Sequence, residues 1–176
     1  MSETLALLGI LASLVSFFLG KRYEQRKQTM LIRSEMLKPI EEWLTGVEKM
    51  IGMFSDTLAS ISMNSQLPMM YSLEERSKAA QFIGEKTNLM LGILDSESLR
   101  TRQTQKLVAQ LHKTIIKLDE LIKTQLIPLD IQVSSTPMND VLSQNLVDKV
   151  MLLKIELDTL MRSAHSLIAQ IKVKLT

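Results

Sequence analysis

The chain contains no cysteine. Disulfides, zinc-thiolate centres and thiol catalysis are thereby excluded, and the absence fits a reducing compartment. Histidine is nearly missing too, with His112 and His165 alone. A carboxylate-bridged metal centre in a helical bundle needs Glu three residues before His. Here those positions hold Ala109 and Arg162, so no metal or cofactor is expected. There is no glycine-rich phosphate loop and no Gly-x-Ser-x-Gly elbow, so an enzyme is not expected either. Aromatics are scarce, with four Phe, two Tyr and one Trp, and twelve Met take their place as adaptable apolar filler. The two-residue alternation of strands is absent throughout, and the fold class read from the chain is all-α.

What the chain does have is one long uncharged run. Thr4 to Gly20 carries no charge, and Lys21, Arg22, Arg26 and Lys27 follow at once. As a helix the run would cover ~26 Å, near the thickness of a bilayer core. The charges follow the run rather than precede it and no small-residue cleavage site comes after, which argues against a cleaved signal peptide. The expectation is a single N-terminal transmembrane helix over residues 1–20 with its N-terminus outside, then a basic juxtamembrane helix over 21–37. Positive residues stay on the cytoplasmic side. Residues 38–176 then form a cytoplasmic bundle, and the location expected is a bacterial inner membrane. Lys21, Arg22, Arg26 and Lys27 would meet lipid headgroups.

Small residues mark one face of the same run. Ser2, Ala6, Gly9, Ser13, Ser16 and Gly20 recur at alternating intervals of four and three. Such spacing permits close backbone approach between helices, so these six residues are the candidate oligomerisation stripe.

Beyond the run, apolar residues fall in helical register. Leu37, Ile40, Leu44, Val47, Ile51, Phe54, Leu58 and Ile61 form one stripe, and the Pro39 inside it should kink the helix or start a new one near Lys38. A second helix is expected from Ser72 to about Leu94, with Leu73, Ala80, Ile83, Met90 and Leu94 inward. A third is expected from Ser98 to Leu126, capped near Asp95 to Ser98 and ended by Pro128, with Val108, Leu111, Ile115, Leu118 and Ile122 inward. A loop over Ile127 to Pro137 follows, then a fourth helix carrying Leu146, Val150, Leu153, Leu157, Leu160, Ala164, Leu167 and Ile171. These four helices predict an antiparallel four-helix bundle with long helices. Trp43 should bury against it.

Charge points to no global nucleic-acid footprint. The net charge is +2, and five basic residues lie between Lys21 and Arg33; without these and with Glu3 and Glu24 set aside, 16 basic face 17 acidic residues. Candidate contacts for a ligand or protein partner are the Met-rich tip, Met63, Met69 and Met70, and the basic third helix, with Arg100, Arg102, Lys106 and Lys113. A nucleic acid or nucleotide is possible there but not indicated.

Arg162-Ser163-Ala164-His165 brings a cation and an imidazole to one helix face. Over those two residues the segment resembles the Arg…His signature of the HEPN helical ribonucleases, with a shorter spacing than that family uses. The resemblance implies a catalytic pair, Arg162 and His165, acting on RNA. The main expectation remains a membrane-anchored, self-associating, non-enzymatic scaffold, adaptor or signalling effector that binds itself, lipid and another protein. The alternative is an oligomeric pore or membrane-perturbing effector of a bacterial defence or toxin-type system.

Overall fold

The computed structural model describes the backbone of residues 2–62, 73–135 and 144–175, and side chains within 16–56, 74–132 and 145–175. All regular structure among these residues is helical. Helix α1 spans Ser2–Glu35, α2 Lys38–Ser62, α3 Leu73–Asp95, α4 Gln105–Leu121, α5 Ile127–Ser135 and α6 Gln144–Leu175, with a π-helical turn at Ile122–Leu126 joining α4 to α5.

The bundle consists of α2, α3, α4 with its continuation α5, and α6. Helix α3 packs on α2 and α4, and α6 packs mainly on α4 while touching α2. The core is the set of stripes expected. Leu37 in the turn before α2, Ile40, Leu44 and Val47 of α2, Val108, Leu111, Ile115 and Leu118 of α4, and Leu157, Ala164 and Ile171 of α6 are fully buried. Trp43 is also fully buried, and its indole Nε1 donates to the Ile83 carbonyl of α3 at 3.2 Å. A buried indole needs such an acceptor. Beside it, Gly46 makes room for Phe82 of α3, whose ring would lie 2.9 Å from a Cβ at that position. The outer part of the α2 stripe, Leu58 and Ile61, lies outside the described side chains.

Pro39 acts as anticipated. Helix α1 closes at Glu35, two turn residues follow, and α2 opens at Lys38 with Pro39 in its first turn. Proline is tolerated there because its missing N–H would have no intrahelical acceptor. Leu37 pins the corner in the core, while its carbonyl accepts the N–H groups of Ile40 and Glu41.

Two expectations about the third helix are corrected. It does not start at Ser98: residues 96–104 form turns, and the N-cap of α4 is Thr104. Arg100 holds this connection by donating to the Leu94 carbonyl at 3.0 Å and to Asp95 at 2.5 Å, a cation on the last turn of α3. Thr104 is fully buried and turns its hydroxyl back onto the Leu99 carbonyl. Nor does Pro128 end the helix, and 127–135 is α5 rather than a loop. The π turn explains this. The Ile127 N–H reaches the Ile122 carbonyl, five residues back, so the ladder is already re-spaced when the chain meets a proline that has no N–H to offer.

The transmembrane expectation is corrected as well. Among the described residues no helix is long and apolar enough to cross a membrane. The uncharged run is seventeen residues, at the short end of the ~17–25 that a span uses, and α1 runs on unbroken through Lys21, Arg22, Glu24, Arg26 and Lys27 to Glu35. The single-pass anchor and the inner-membrane location are not supported by this structure.

Packing of this kind gives a direct stability test. Leu111→Ala should lower unfolding free energy by about 3 kcal/mol in urea melts, the usual cost of an unfilled leucine-sized hole. Leu152→Ala, on the exposed face of α6 (69% exposed), should change the stability of the single chain by less than about 0.5 kcal/mol.

Candidate functional site

The bundle presents polar groups along two seams. The first runs between α3 and the continuous α4–α5 path. Arg76 of α3 pairs with Asp130 of α5 at 2.6 Å, and Thr87 donates to Asp119 of α4 at 2.9 Å. At the far end Asp95 meets His112 at 3.6 Å. Residue numbers fall along one path as they rise along the other, so the pairs fix an antiparallel register. Arg76 and Asp130 are 4% and 14% exposed, so theirs is a buried ion pair. Burial pushes the Asp130 carboxyl above its ordinary value of 3.8, while the neighbouring Arg76 guanidinium draws it down and does not fully offset the loss of water. The role of this seam is structural.

The second seam lies on the surface between α2 and α6. Lys172 donates to Glu41 at 2.6 Å, and His165 Nε2 meets Glu48 Oε1 at 2.9 Å. These two pairs again descend on one helix as they rise on the other. Below the second pair opens a groove of about 270 Å³ lined by Glu48, Ile51, Asp158, Met161, Arg162 and His165. Arg162 Nε donates to the Asp158 carbonyl at 3.2 Å on its own helix. The two residues singled out in the sequence therefore share one groove. What the sequence did not disclose is that Glu48, 117 residues away, holds the imidazole, or that Asp158 lines the same wall. Two carboxylates, Glu48 and Asp158, stand beside one guanidinium, Arg162, in the groove lining. Among the described residues no group of His, Asp or Glu is arranged to hold a metal ion.

The other candidates divide. Three basic residues of the expected third helix are paired: Arg100 with Asp95 of α3, Lys117 with Glu156 of α6 at 2.7 Å, and Lys123 with Asp119 of α4 at 2.7 Å. Arg102, Lys106 and Lys113 are exposed, scattered along the outer side of this segment. Met63, Met69 and Met70 lie outside the described residues, as do the side chains of Ser2, Ala6, Gly9 and Ser13. Ser16 and Gly20 are described and exposed, and a Cβ built on Gly20 meets nothing within 4 Å.

Large apolar residues are exposed in two places. On α1, Phe17, Phe18 and Leu19 are each more than 60% exposed, as are Tyr23 and Ile32. On α6, Met151, Leu152 and Ile155 are 63%, 69% and 61% exposed and adjoin one another at helical spacing, a cluster not singled out from the sequence. Leu152 also borders a groove of about 480 Å³ between α6 and α5, shared with Pro128, Leu129 and Lys149. Clustered exposed apolar residues mark protein or membrane contacts, ligand grooves or aggregation-prone surface.

No family model, curated protein or solved structure matches this chain.

The buried pair predicts a pH signature. Arg76→Met should cost about 3 kcal/mol at neutral pH, because it leaves a buried carboxylate without its guanidinium. Since Asp130 titrates above its unfolded value, its contribution to stability is greatest below pH 3.8 and is lost as pH rises through the raised value. Loss of the guanidinium lifts the Asp130 carboxyl further in the variant, so the deficit should shrink on acidification from above the wild-type raised value down to it, read from urea midpoints of both proteins. A deficit independent of pH would separate the two residues energetically.

Proposed function

We propose that this protein is a non-enzymatic scaffold or adaptor, a helical bundle that self-associates and holds a protein partner. The observation carrying this reading is α1. It is a 34-residue helix whose described residues from Ser16 to Ile32 are all exposed, including Phe17, Phe18 and Leu19. A helix of this length gains little from propensity alone and needs an apolar face covered by packing. Within the chain, α1 touches α6 only lightly. The small-residue stripe that includes Ser16 and Gly20 offers a seam for a second α1, with the aromatic pair beside it.

The test uses the absence of intramolecular neighbours. A Cβ at Gly20 meets nothing within 4 Å and Ser16 is exposed, so Ser16→Leu with Gly20→Leu should not lower helix content or melting. The same double substitution should reduce the assembly mass measured by light scattering. An assembly of wild-type mass would rule out the α1 seam.

One observation favours a second reading. Arg162 and His165 line one groove, and Glu48 orients the imidazole at 2.9 Å. That is the arrangement of a general base held by a carboxylate. If the groove cleaves RNA, His165→Ala should abolish hydrolysis of a single-stranded substrate without changing assembly mass. Equal hydrolysis by both proteins would remove this reading. Stability should change by less than about 1 kcal/mol, since the pair is half exposed.

A further inference from the structure

The exposed apolar ridge of α6 has a charge pattern that selects its partner. Its outward stripe reads Asp148, Leu152, Ile155, Thr159 and Arg162, at intervals of four, three, four and three, with Met151 beside Leu152. All but Ile155 and its apolar neighbours are polar, so the stripe has an apolar centre and charged ends. The charges are opposite in sign, and each stands seven residues from Ile155. Seven residues are two helical turns, about 10.5 Å along the axis and nearly back on the same face. Asp148 and Arg162 are both exposed.

We propose that the α6 ridge is the contact surface for a second copy of this chain, packed antiparallel about a two-fold axis at Ile155. In that arrangement Ile155 faces Ile155 of the other copy. Leu152 lies beside its Thr159. Asp148 meets its Arg162, and by symmetry Arg162 meets its Asp148. A two-fold contact must be self-complementary, since the same patch serves both sides. The antiparallel pairing about Ile155 meets that condition twice over. A parallel pairing would set Asp148 against Asp148 and Arg162 against Arg162, and like charges placed directly opposite exclude the wrong register. Met151, Leu152 and Ile155 supply the water-excluding centre. The proposal deepens the self-association reading by naming a surface and an orientation, but it uses α6 and not α1.

The charge pattern dictates the experiment, made on the full chain. Asp148→Arg and Arg162→Asp should each raise the dissociation constant of the pair about tenfold or more, since each creates two like-charge contacts. Mixed in equal amounts, the two variants should associate with each other as tightly as the wild type, because every contact is again Arg against Asp. The absence of cysteine adds an independent readout. Ile155→Cys should oxidise to a covalent dimer, whereas Ile116→Cys, exposed on α4, should not. Wild-type assembly by both charge variants, no recovery on mixing, or a monomeric Ile155→Cys would each overturn the proposal, as would a chain that stays monomeric at high micromolar concentration. If Ile155→Cys cross-links while the Ser16 and Gly20 substitutions change nothing, the α6 contact stands and the α1 seam falls. If those substitutions abolish assembly and Ile155→Cys stays reduced, the opposite holds.

Discussion

The buried stripe of α4 is what the rest of the bundle rests on. Val108, Leu111, Ile115 and Leu118 are fully enclosed, and both α3 and α6 pack against this helix. In an all-helical chain the backbone hydrogen bonds are satisfied within each element, so side-chain burial must supply the cohesion between elements. Each fully enclosed leucine or isoleucine contributes roughly 1.5–3 kcal/mol by its removal from water. Among the described residues, Trp43 and Phe54 alone bring buried aromatic bulk to this core. Met50, Met53, Met90 and Met161 are buried among the aliphatics, where an unbranched side chain fits gaps that stiffer residues leave.

Apolar stripes hold helices together but discriminate poorly between registers, and the polar pairs supply that discrimination. Arg76 with Asp130 and Thr87 with Asp119 lock α3 against α4 and α5, and shifting either helix would strand a buried charge. The α2–α6 pairs are different in kind. Glu41 with Lys172 and Glu48 with His165 lie half in water, where ion pairs add little stability. That seam can therefore exchange its partners at little energetic cost.

Much of the bundle was legible in the chain. The stripes of α2, α4 and α6 and the break at Pro39 depend on local periodicity and on the chemistry of one imino acid, both of which are written in consecutive residues. What local pattern misled on was equally physical. Pro128 signals a helix end only if the hydrogen-bond ladder is regular, and the π turn before it is not visible in residue type. The Asp-Ser-Glu-Ser run offered caps at 95–98, but Thr104 and Arg100 outcompeted them through contacts with Leu99 and Leu94. The uncharged run near the N-terminus was read from its length and the charges after it, and at ~26 Å it sits at the lower limit for a bilayer core, where length alone does not decide. At the candidate groove, Arg162 and His165 were visible as a face of one helix. Glu48 was not, because its approach depends on how α2 and α6 pack.

The π turn also sets how the chain tolerates changes in length. A π turn amounts to one residue more than an α-helix needs, absorbed without a loop. Deleting one residue between Ile122 and Leu126 would remove the bulge and leave one regular helix in which Leu126 still faces the core and Asp130 still faces Arg76, because the bulge has already taken up the ~100° that a single residue adds. Pro128 would then stand inside an unbroken α-helical ladder that requires an N–H from it. The extra residue thus works as a phase adjuster: a single-residue deletion here keeps the register, whereas one within α4 would turn everything beyond it by ~100°.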